Sequence, residues 1–527
     1  MKSNMSKFLV MSLVFVLALG FAFNVNFAAD EEVMITILQT SDMHGRIYPH
    51  DYATDSNDLD AGYAKINTII KEERSKNPNT ILMDTGDTLQ DNSADLFNDL
   101  PIHPMVQAMN SMNYDVWTIG NHEFNFELDF LKKNIEAFEG DVLASNIYKK
   151  GTDERWIAPY VIKEIDGVRV AIVGMLPPYI PTWEASSPSH FAGLEFTGVL
   201  EETGKVLKEL EGKYDVLIGA YHVGPEGEHG YEGVEEVANA YPQFDVIFSG
   251  HAHARYTEEI NGVQIIEPGS YGWALAKADI KFNMADKKVV SVETINLETY
   301  NVDADESILE EFKFVHDESL TDANTIIGKI LNDYIVNPDF ITGEEKISTM
   351  PTSQIEDTSI IDLINDVQMF YAKSDVSSAA LFNMGSNLLA GDFKKKDVAY
   401  IYKYSNTLVG VKITGENLLK YMEWSANYYN TYEKGDVTVS FNRDVRGYNY
   451  DMFSGLTYDV NISKESGSRI ENVIFNGKAL DPAKEYKLAV NNYRFGTLMS
   501  LGLITMEDKY YDSYEAMQDK GRIRDLI

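Results

Sequence analysis

Five segments in the first half of the chain share one construction. VMITILQTSDMHG, TILMDTGD, DVWTIGNHE, DVLIGAYHVG and DVIFSGHAH each run an apolar or β-branched stretch into a small-residue break and then into Asp, Asn or His. Such a run reads as a buried strand, and the amphipathic stretches between the runs read as helices, so residues 33 to about 300 predict layered α/β structure. In layered α/β folds the groups just beyond the carboxyl ends of adjacent strands converge on one crevice. Residues far apart in sequence are therefore expected to share a site.

Of the ten histidines, His44, His122, His222, His251 and His253 lie in these segments. Asp42, Asp87 and Asn121 join four of them as seven candidate metal ligands, and His122 is left over. A lone histidine at a strand end is usually structural, but five independent segments would have to imitate one ordered site. Seven ligands exceed the needs of one tetrahedral ion. Two ions sharing a bridging carboxylate use them all, and a cation pair a few ångströms apart clamps a phosphoryl group and generates a hydroxide between its members. The chain has no cysteine, which removes thiolate ligands, and the mixed oxygen and nitrogen set suits Zn, Mn, Fe or Co better than Mg or Ca. Other chemistries lack their signatures: there is no G-x-S-x-G elbow, no phosphate loop, no H-E-x-x-H and no G-x-G-x-x-G after a strand.

Charge bounds the partners. Lys and Arg total 45 against 82 Asp and Glu, a formal net charge of −37. Such a surface repels phosphate backbones and anionic headgroups, so nucleic-acid polymers and polybasic membrane docking are not expected, while a small anion can bind where positive charge is supplied locally. At the N-terminus Lys2 and Lys7 precede an apolar run from Phe8 to Phe23, then Ala28 and Ala29. Residues 1–29 read as a secretory signal peptide, which puts the mature chain outside the cytoplasm, secreted, surface-associated or periplasmic; an uncleaved anchor helix is the alternative. No later stretch reads as a membrane span.

Residues 300 to 345 read as a linker carrying a helix. Beyond it SIIDLINDVQMFYA (359–372) spaces its apolar residues for a buried helix face, and TLVGVKITGENL and GLTYDVNIS alternate as strands and turns. A first domain over 30–320 and a second, α+β domain over 325–527 are expected.

The order D-x-H, GD, GNHE, H, GH-x-H resembles that of the calcineurin-like metallophosphoesterases over nearly the whole first domain. The resemblance implies a four-layer α/β fold, a β-sandwich flanked by helices. It implies one divalent metal held by Asp42, His44, Asp87 and His253, and a second by Asp87, Asn121, His222 and His251, with Asp87 as the bridge. His122 carries over as the catalytic histidine, which stabilises transition-state charge or protonates the leaving oxygen, and Asn125 as the residue that orients it. His50, His103 and His229 lie outside the matched positions.

With its second domain the chain resembles the two-domain secreted 5′-nucleotidases and 2′,3′-cyclic-nucleotide 2′-phosphodiesterase/3′-nucleotidases. YKYSNTLVGVKITGENLLKYMEWSA, GYNYDMFSGLTYDV and VNNYRFG are similar to segments that bring two aromatic rings around the base in that family. The resemblance implies Tyr493 as one ring and Tyr448 or Tyr450 as the other. Arg446 beside the Tyr448 segment and Arg494 beside Tyr493 are candidate phosphate or ribose contacts in an otherwise acidic chain. Asn125, where 5′-nucleotidases usually show Asp, and YNYDMFSGLTYD favour the cyclic-nucleotide branch; two departures cut the other way, since NNYRFGTL lacks the paired glycines usual after this aromatic and LFNMGSNLL has no arginine where 5′-nucleotidases bind phosphate. The expected activity is hydrolysis of 2′,3′-cyclic nucleotides to 3′-nucleotides and then to nucleosides and phosphate, with a 5′-nucleotidase or UDP-sugar hydrolase and a non-catalytic extracellular binding module as alternatives. A hinge is expected near 320–360.

Overall fold

The computed structural model describes residues 32–334, 352–383 and 385–527. The expected signal peptide and part of the expected linker lie outside the described residues. Strands β1 (Glu32–Thr40), β2 (Thr80–Asp84), β3 (Val116–Thr118) and β4 (Asp141–Leu143) run parallel. Strand β5 (Tyr160–Ile165) turns back onto β6 (Val168–Met175), beside which β7 (Val216–Tyr221) and β8 (Val246–Phe248) lie parallel. Strands β9 (Arg255–Ile260), β10 (Val263–Pro268), β11 (Ala274–Asn283) and β12 (Lys288–Glu298) complete two mixed six-stranded sheets, ordered β12-β11-β1-β2-β3-β4 and β9-β10-β8-β7-β6-β5.

The sheets pack face to face. Ile35, Ile37 and Ile81 of one meet Val170, Ile172, Ile218 and Phe248 of the other. Alternate residues of the same strands point outward: Leu38, Leu82 and Trp117 pack under helices α1 (Tyr63–Lys76) and α2 (Pro104–Ser111), and Val173 and Leu217 under α3 (Val199–Glu209) and α4 (Val234–Ala240). Both faces of the central strands are thus buried, which is why the sequence shows continuous apolar runs instead of alternation. Each fully buried Ile, Val or Leu side chain stabilises by about 1.5–3 kcal/mol. The result is the four-layer arrangement the resemblance implies.

A separate α+β domain follows the helices Glu306–Glu311 and Lys313–Ala323. Its sheet is built from β13 (Val376–Ala380), β14 (Leu408–Thr414), β15 (Asp451–Ser454), β16 (Glu485–Asn491) and β17 (Lys509–Asp512), in the order β15-β13-β16-β14-β17. Period-2 alternation splits its residues, with Leu408 and Ala489 toward helix α5 (Ser359–Ala372) and Val409, Val411, Leu488 and Val490 toward α6 (Gly415–Ser425). Helix α7 (Asn492–Ser500) follows β16 directly. Among the described residues no helix is long and apolar enough to cross a membrane.

Candidate dimetal active site

The carboxyl ends of β1, β2, β3, β7 and β8 open onto one crevice, and the loops beyond them interlock through their backbones. Asp42 N donates to Gly86 O at 2.9 Å and His44 N to Asp87 O at 3.0 Å. The turns are sharp: Asp42, His44, Asp87, His251 and His253 all have left-handed φ, between 46° and 74°. Such backbone disfavours any residue with a Cβ, and at a ligand loop it is strain held by the surrounding structure. Two glycines let the loops close up. A Cβ on Gly120 would lie 2.3 Å from Asp87 Oδ1, and one on Gly250 2.2 Å from Ser41 Oγ.

Asp42, His44 and His253 form one group of ligand atoms within 4.8 Å of one another, and Asp87, His222 and His251 form a second. In the first, Nε2 of His44 and His253 lie 3.1 Å apart, and each faces Asp42 Oδ1, at 3.9 and 3.2 Å. That oxygen is buried and accepts no hydrogen bond. In the second, His222 Nε2 lies 3.0 Å from Asp87 Oδ2 and 3.1 Å from Asn121 Oδ1. The far nitrogens are tied down, His222 Nδ1 to Thr85 O at 2.6 Å and His44 Nδ1 to Gln90 Oε1 at 3.2 Å, which turns both Nε2 lone pairs inward as metal ligation requires. A buried carboxylate oxygen without a donor, ringed by imidazole nitrogens aimed at it, fits a divalent cation, and the two groups fit two.

Electrostatics agree. Burial, then the neighbouring His253, pushes the His44 pKa down to about 3, leaving a neutral imidazole ready to ligate. Burial works against charge on His222, but the Asp87 and Asp42 carboxylates overcome it and push the pKa up to about 10. Burial likewise opposes ionisation of Asp87, yet His222 and His122 hold it well below the usual carboxylate range. The pocket favours positive charge between its carboxylates.

His122 sits beside both groups, with Nε2 4.0 Å from Asp87 Oδ2 and Nδ1 2.6 Å from Asn125 Oδ1. Above them a cavity of about 430 Å³ is walled on its far side by the C-terminal domain, with Arg446, Tyr448 and Tyr493 among its lining residues. The rings of Tyr448 and Tyr493 meet edge to face at 6.2 Å. Two expectations are corrected. Tyr450 does not line the cavity: its ring stacks on Tyr428 at 5.2 Å and meets Tyr429 at 5.1 Å inside the C-terminal core. Arg494 is 2% exposed and spent on structure, ion-paired with Asp451, 4.6 Å over the Trp424 ring, and donating to Tyr448 O at 3.1 Å. It supports the Tyr448 loop from behind.

Three histidines outside the motifs lie away from the ligand groups. His103 caps the start of α2, His50 faces Asp55, and His229 packs on Tyr179 at 4.8 Å.

The structure also adds residues that sequence reasoning missed. Trp183, which ends the short helix Ile180–Trp183 in the motif-free segment PTWEASS, lies 5.4 Å from the His251 ring and 6.5 Å from Tyr493. Lys403 reaches from the C-terminal domain to Tyr271 Oη at 2.5 Å. Glu123 accepts backbone N–H bonds from Asp87, Thr88, Leu89 and Gly120 at 2.6–3.2 Å. Only Glu123 carried a signal, as the last letter of GNHE.

Comparison with known proteins agrees with this architecture. The calcineurin-like phosphoesterase family matches residues 35–255, and the 5′-nucleotidase C-terminal domain family matches residues 339–499. The chain is 29% identical over 542 residues to the trifunctional nucleotide phosphoesterase protein YfkN of Bacillus subtilis, across 89% of this chain but only 36% of YfkN. It thus spans about a third of that relative. It is 25% identical to the 2′,3′-cyclic-nucleotide 2′-phosphodiesterase/3′-nucleotidase of Haemophilus influenzae, across 88% of this chain and 80% of the relative. A crystal structure of a Staphylococcus aureus protein assigned to the 5′-nucleotidases shares the fold, with TM-score 0.81 and 23% identity over 94% of this chain and 96% of the other. The chain therefore joins a calcineurin-like metallophosphoesterase domain to a 5′-nucleotidase C-terminal domain, as a metal-dependent phosphoesterase related to the bacterial 5′-nucleotidase and 2′,3′-cyclic-nucleotide phosphodiesterase family.

Proposed function

We propose that this enzyme opens 2′,3′-cyclic nucleotides to 3′-nucleotides and then releases the 3′-phosphate to give nucleosides. The observation that carries the reading is the single cavity with two ligand groups at its floor and Tyr448, Tyr493 and Arg446 on its opposite wall. That pairing suits a molecule with a phosphoryl group at one end and a flat base at the other. Asn125 beside His122 and the similarity to the Haemophilus influenzae enzyme support the cyclic branch. We assign residues 30–320 to phosphoester chemistry and 325–527 to nucleotide binding. The apolar segment Phe8–Phe23 supports an extracytoplasmic location, and the net charge of −37 supports a small nucleotide over a polymer.

Asp42, His44, Asp87 and His253 would hold one metal, and Asp87, Asn121, His222 and His251 the other. Bound there, two divalent cations supply Lewis-acid charge to a phosphoryl group and make water nucleophilic at neutral pH. His122, with Nδ1 tied to Asn125, presents Nε2 to the cavity; as the imidazolium it keeps the Nδ1 proton and passes the Nε2 proton to the leaving O2′ as the P–O2′ bond breaks and water adds to phosphorus. The same atom serves the O3′ leaving group in the second step. Tyr448 and Tyr493, perpendicular to each other, offer the base π surface on the cavity wall and no parallel clamp, and such a surface accepts purines and pyrimidines alike. Arg446, with Lys403 and Arg522, brings positive charge to a cavity that also carries Asp91 and Glu228.

Phosphate release and product identity from 2′,3′-cyclic AMP, 3′-AMP, 5′-AMP and UDP-glucose, with Mn²⁺ or Zn²⁺, test the reading. Turnover of the first two, lost with EDTA and in His122→Ala, is expected. Turnover confined to 5′-AMP or UDP-glucose would move the enzyme to the 5′-nucleotidase branch, which the C-terminal family match also supports.

A further inference from the structure

His122 begins a hydrogen-bond chain that leads away from the ligand groups along the wall of the cavity. Its Nδ1 lies 2.6 Å from Asn125 Oδ1, Asn125 Nδ2 donates to Glu184 Oε1 at 2.9 Å, and Glu184 Oε2 lies 3.0 Å from His190 Nδ1. Glu184 and His190 are 5% and 4% exposed. Neither belongs to a ligand group, and neither sits in a recognisable motif.

The chain has a direction that only one member can impose. An asparagine can offer either end of its amide to a neighbour, and nothing within Asn125 decides which. An ionised carboxylate only accepts. Glu184 therefore requires the NH₂ end of Asn125, which turns Oδ1 to His122, and an oxygen there requires a proton on His122 Nδ1. Nε2 is then the nitrogen facing the cavity and Asp87, at 4.0 Å. His190 donates to the second Glu184 oxygen and fixes the carboxylate from behind. Burial lowers the proton affinity of His190, but Glu184 outweighs it and raises the pKa, so the pair keeps its donor.

We propose that Glu184 is a positioning residue that sets the orientation of Asn125 and, through it, the tautomer of His122. The inference rests on the reading of His122 as the group that acts on the leaving oxygen. An aspartate at position 125 would need no such partner, because both of its oxygens accept; an asparagine needs a carboxylate behind it.

Selective ¹⁵N labelling of histidine, with His122→Ala to identify the signal, reads which ring nitrogen carries the proton in the resting enzyme. A proton on Nδ1 is expected, and a proton on Nε2 alone overturns the proposal. The tautomer is read without substrate, so it stands or falls separately from the choice of phosphoester. In turnover, Glu184→Gln lets either amide end face Asn125 and is expected to lower kcat about tenfold with KM and metal content unchanged. Exchanging the groups in the double variant N125D/E184Q restores a directed chain: the introduced carboxylate accepts from His122, and the introduced amide donates to it. That variant is expected to recover kcat to within about threefold of the native value, a non-additive result. Losses that multiply in the double variant, or an unimpaired Glu184→Gln enzyme, would overturn the proposal.

Discussion

Single side chains decide whether the ligand loops hold their shape. Five of the seven expected ligands sit in left-handed backbone, at a cost of about 1–2 kcal/mol each. Part of what offsets this is Glu123, fully buried, with its carboxylate on four backbone N–H groups of the Asp87 and Gly120 turns. An amide in its place turns a donor toward those donors. Glu123→Gln is expected to lower stability by about 2–4 kcal/mol and to release metal, checked by thermal melting and by metal per chain after dialysis; full metal retention would place the support of the loop elsewhere. The ligand types and their order were legible because each lies in a short contiguous motif. The Glu123 role was not, since three of its four donors come from a turn some 35 positions away. Tyr448 and Tyr450 show the same limit: both are tyrosines in one loop, and only the fold sends the first to the cavity and the second into the core.

At the scale of elements, the clearest device is the seating of helix α7 against the catalytic domain. A Cβ on Gly496 would lie 2.0 Å from Thr182 O, one residue before Trp183, so α7 can approach the short helix Ile180–Trp183 only with glycine there. Within a helix alanine is favoured over glycine by about 1 kcal/mol, so a defect in Gly496→Ala cannot come from the helix itself. The added methyl is expected to push α7 outward, carry Tyr493 away from Trp183, and raise KM for nucleotide by about tenfold with metal content unchanged. Steady-state kinetics check this, and an unchanged KM would mean that the contact does not set the cavity. Helix α7 was not legible as a helix, because NYRFGTLMS mixes aromatic, β-branched and glycine residues with no apolar periodicity. Helix α5 was, because SIIDLINDVQMFYA carries that periodicity from end to end. The sandwich strands were legible for the opposite reason, burial on both faces.

Across the whole molecule, cations of the C-terminal domain meet carboxylates of the catalytic domain. Arg522 and Arg524 both engage Asp95, and Lys396 reaches Asp55 at 2.8 Å. None of this could be read from sequence, because the partners lie more than 300 positions apart and only folding selects them. Asp95 shows what the contact contributes. Burial raises its pKa, but Arg524 and Arg522 outweigh burial and bring it down to about 2. A carboxylate whose folded pKa is depressed adds stability that is fully present above its unfolded pKa, about 3.9, and is lost as pH falls toward the folded value. A shift of this size corresponds to about 2 kcal/mol. Asp95→Asn is therefore expected to melt several degrees below the native protein from pH 7 to about pH 5. The gap should narrow between about pH 4 and pH 2, where the native carboxylate protonates as well. Melting both proteins across that range checks it. A gap of constant size down to pH 2 would trace the loss to packing around Asp95, and the charge would then have no part in joining the domains.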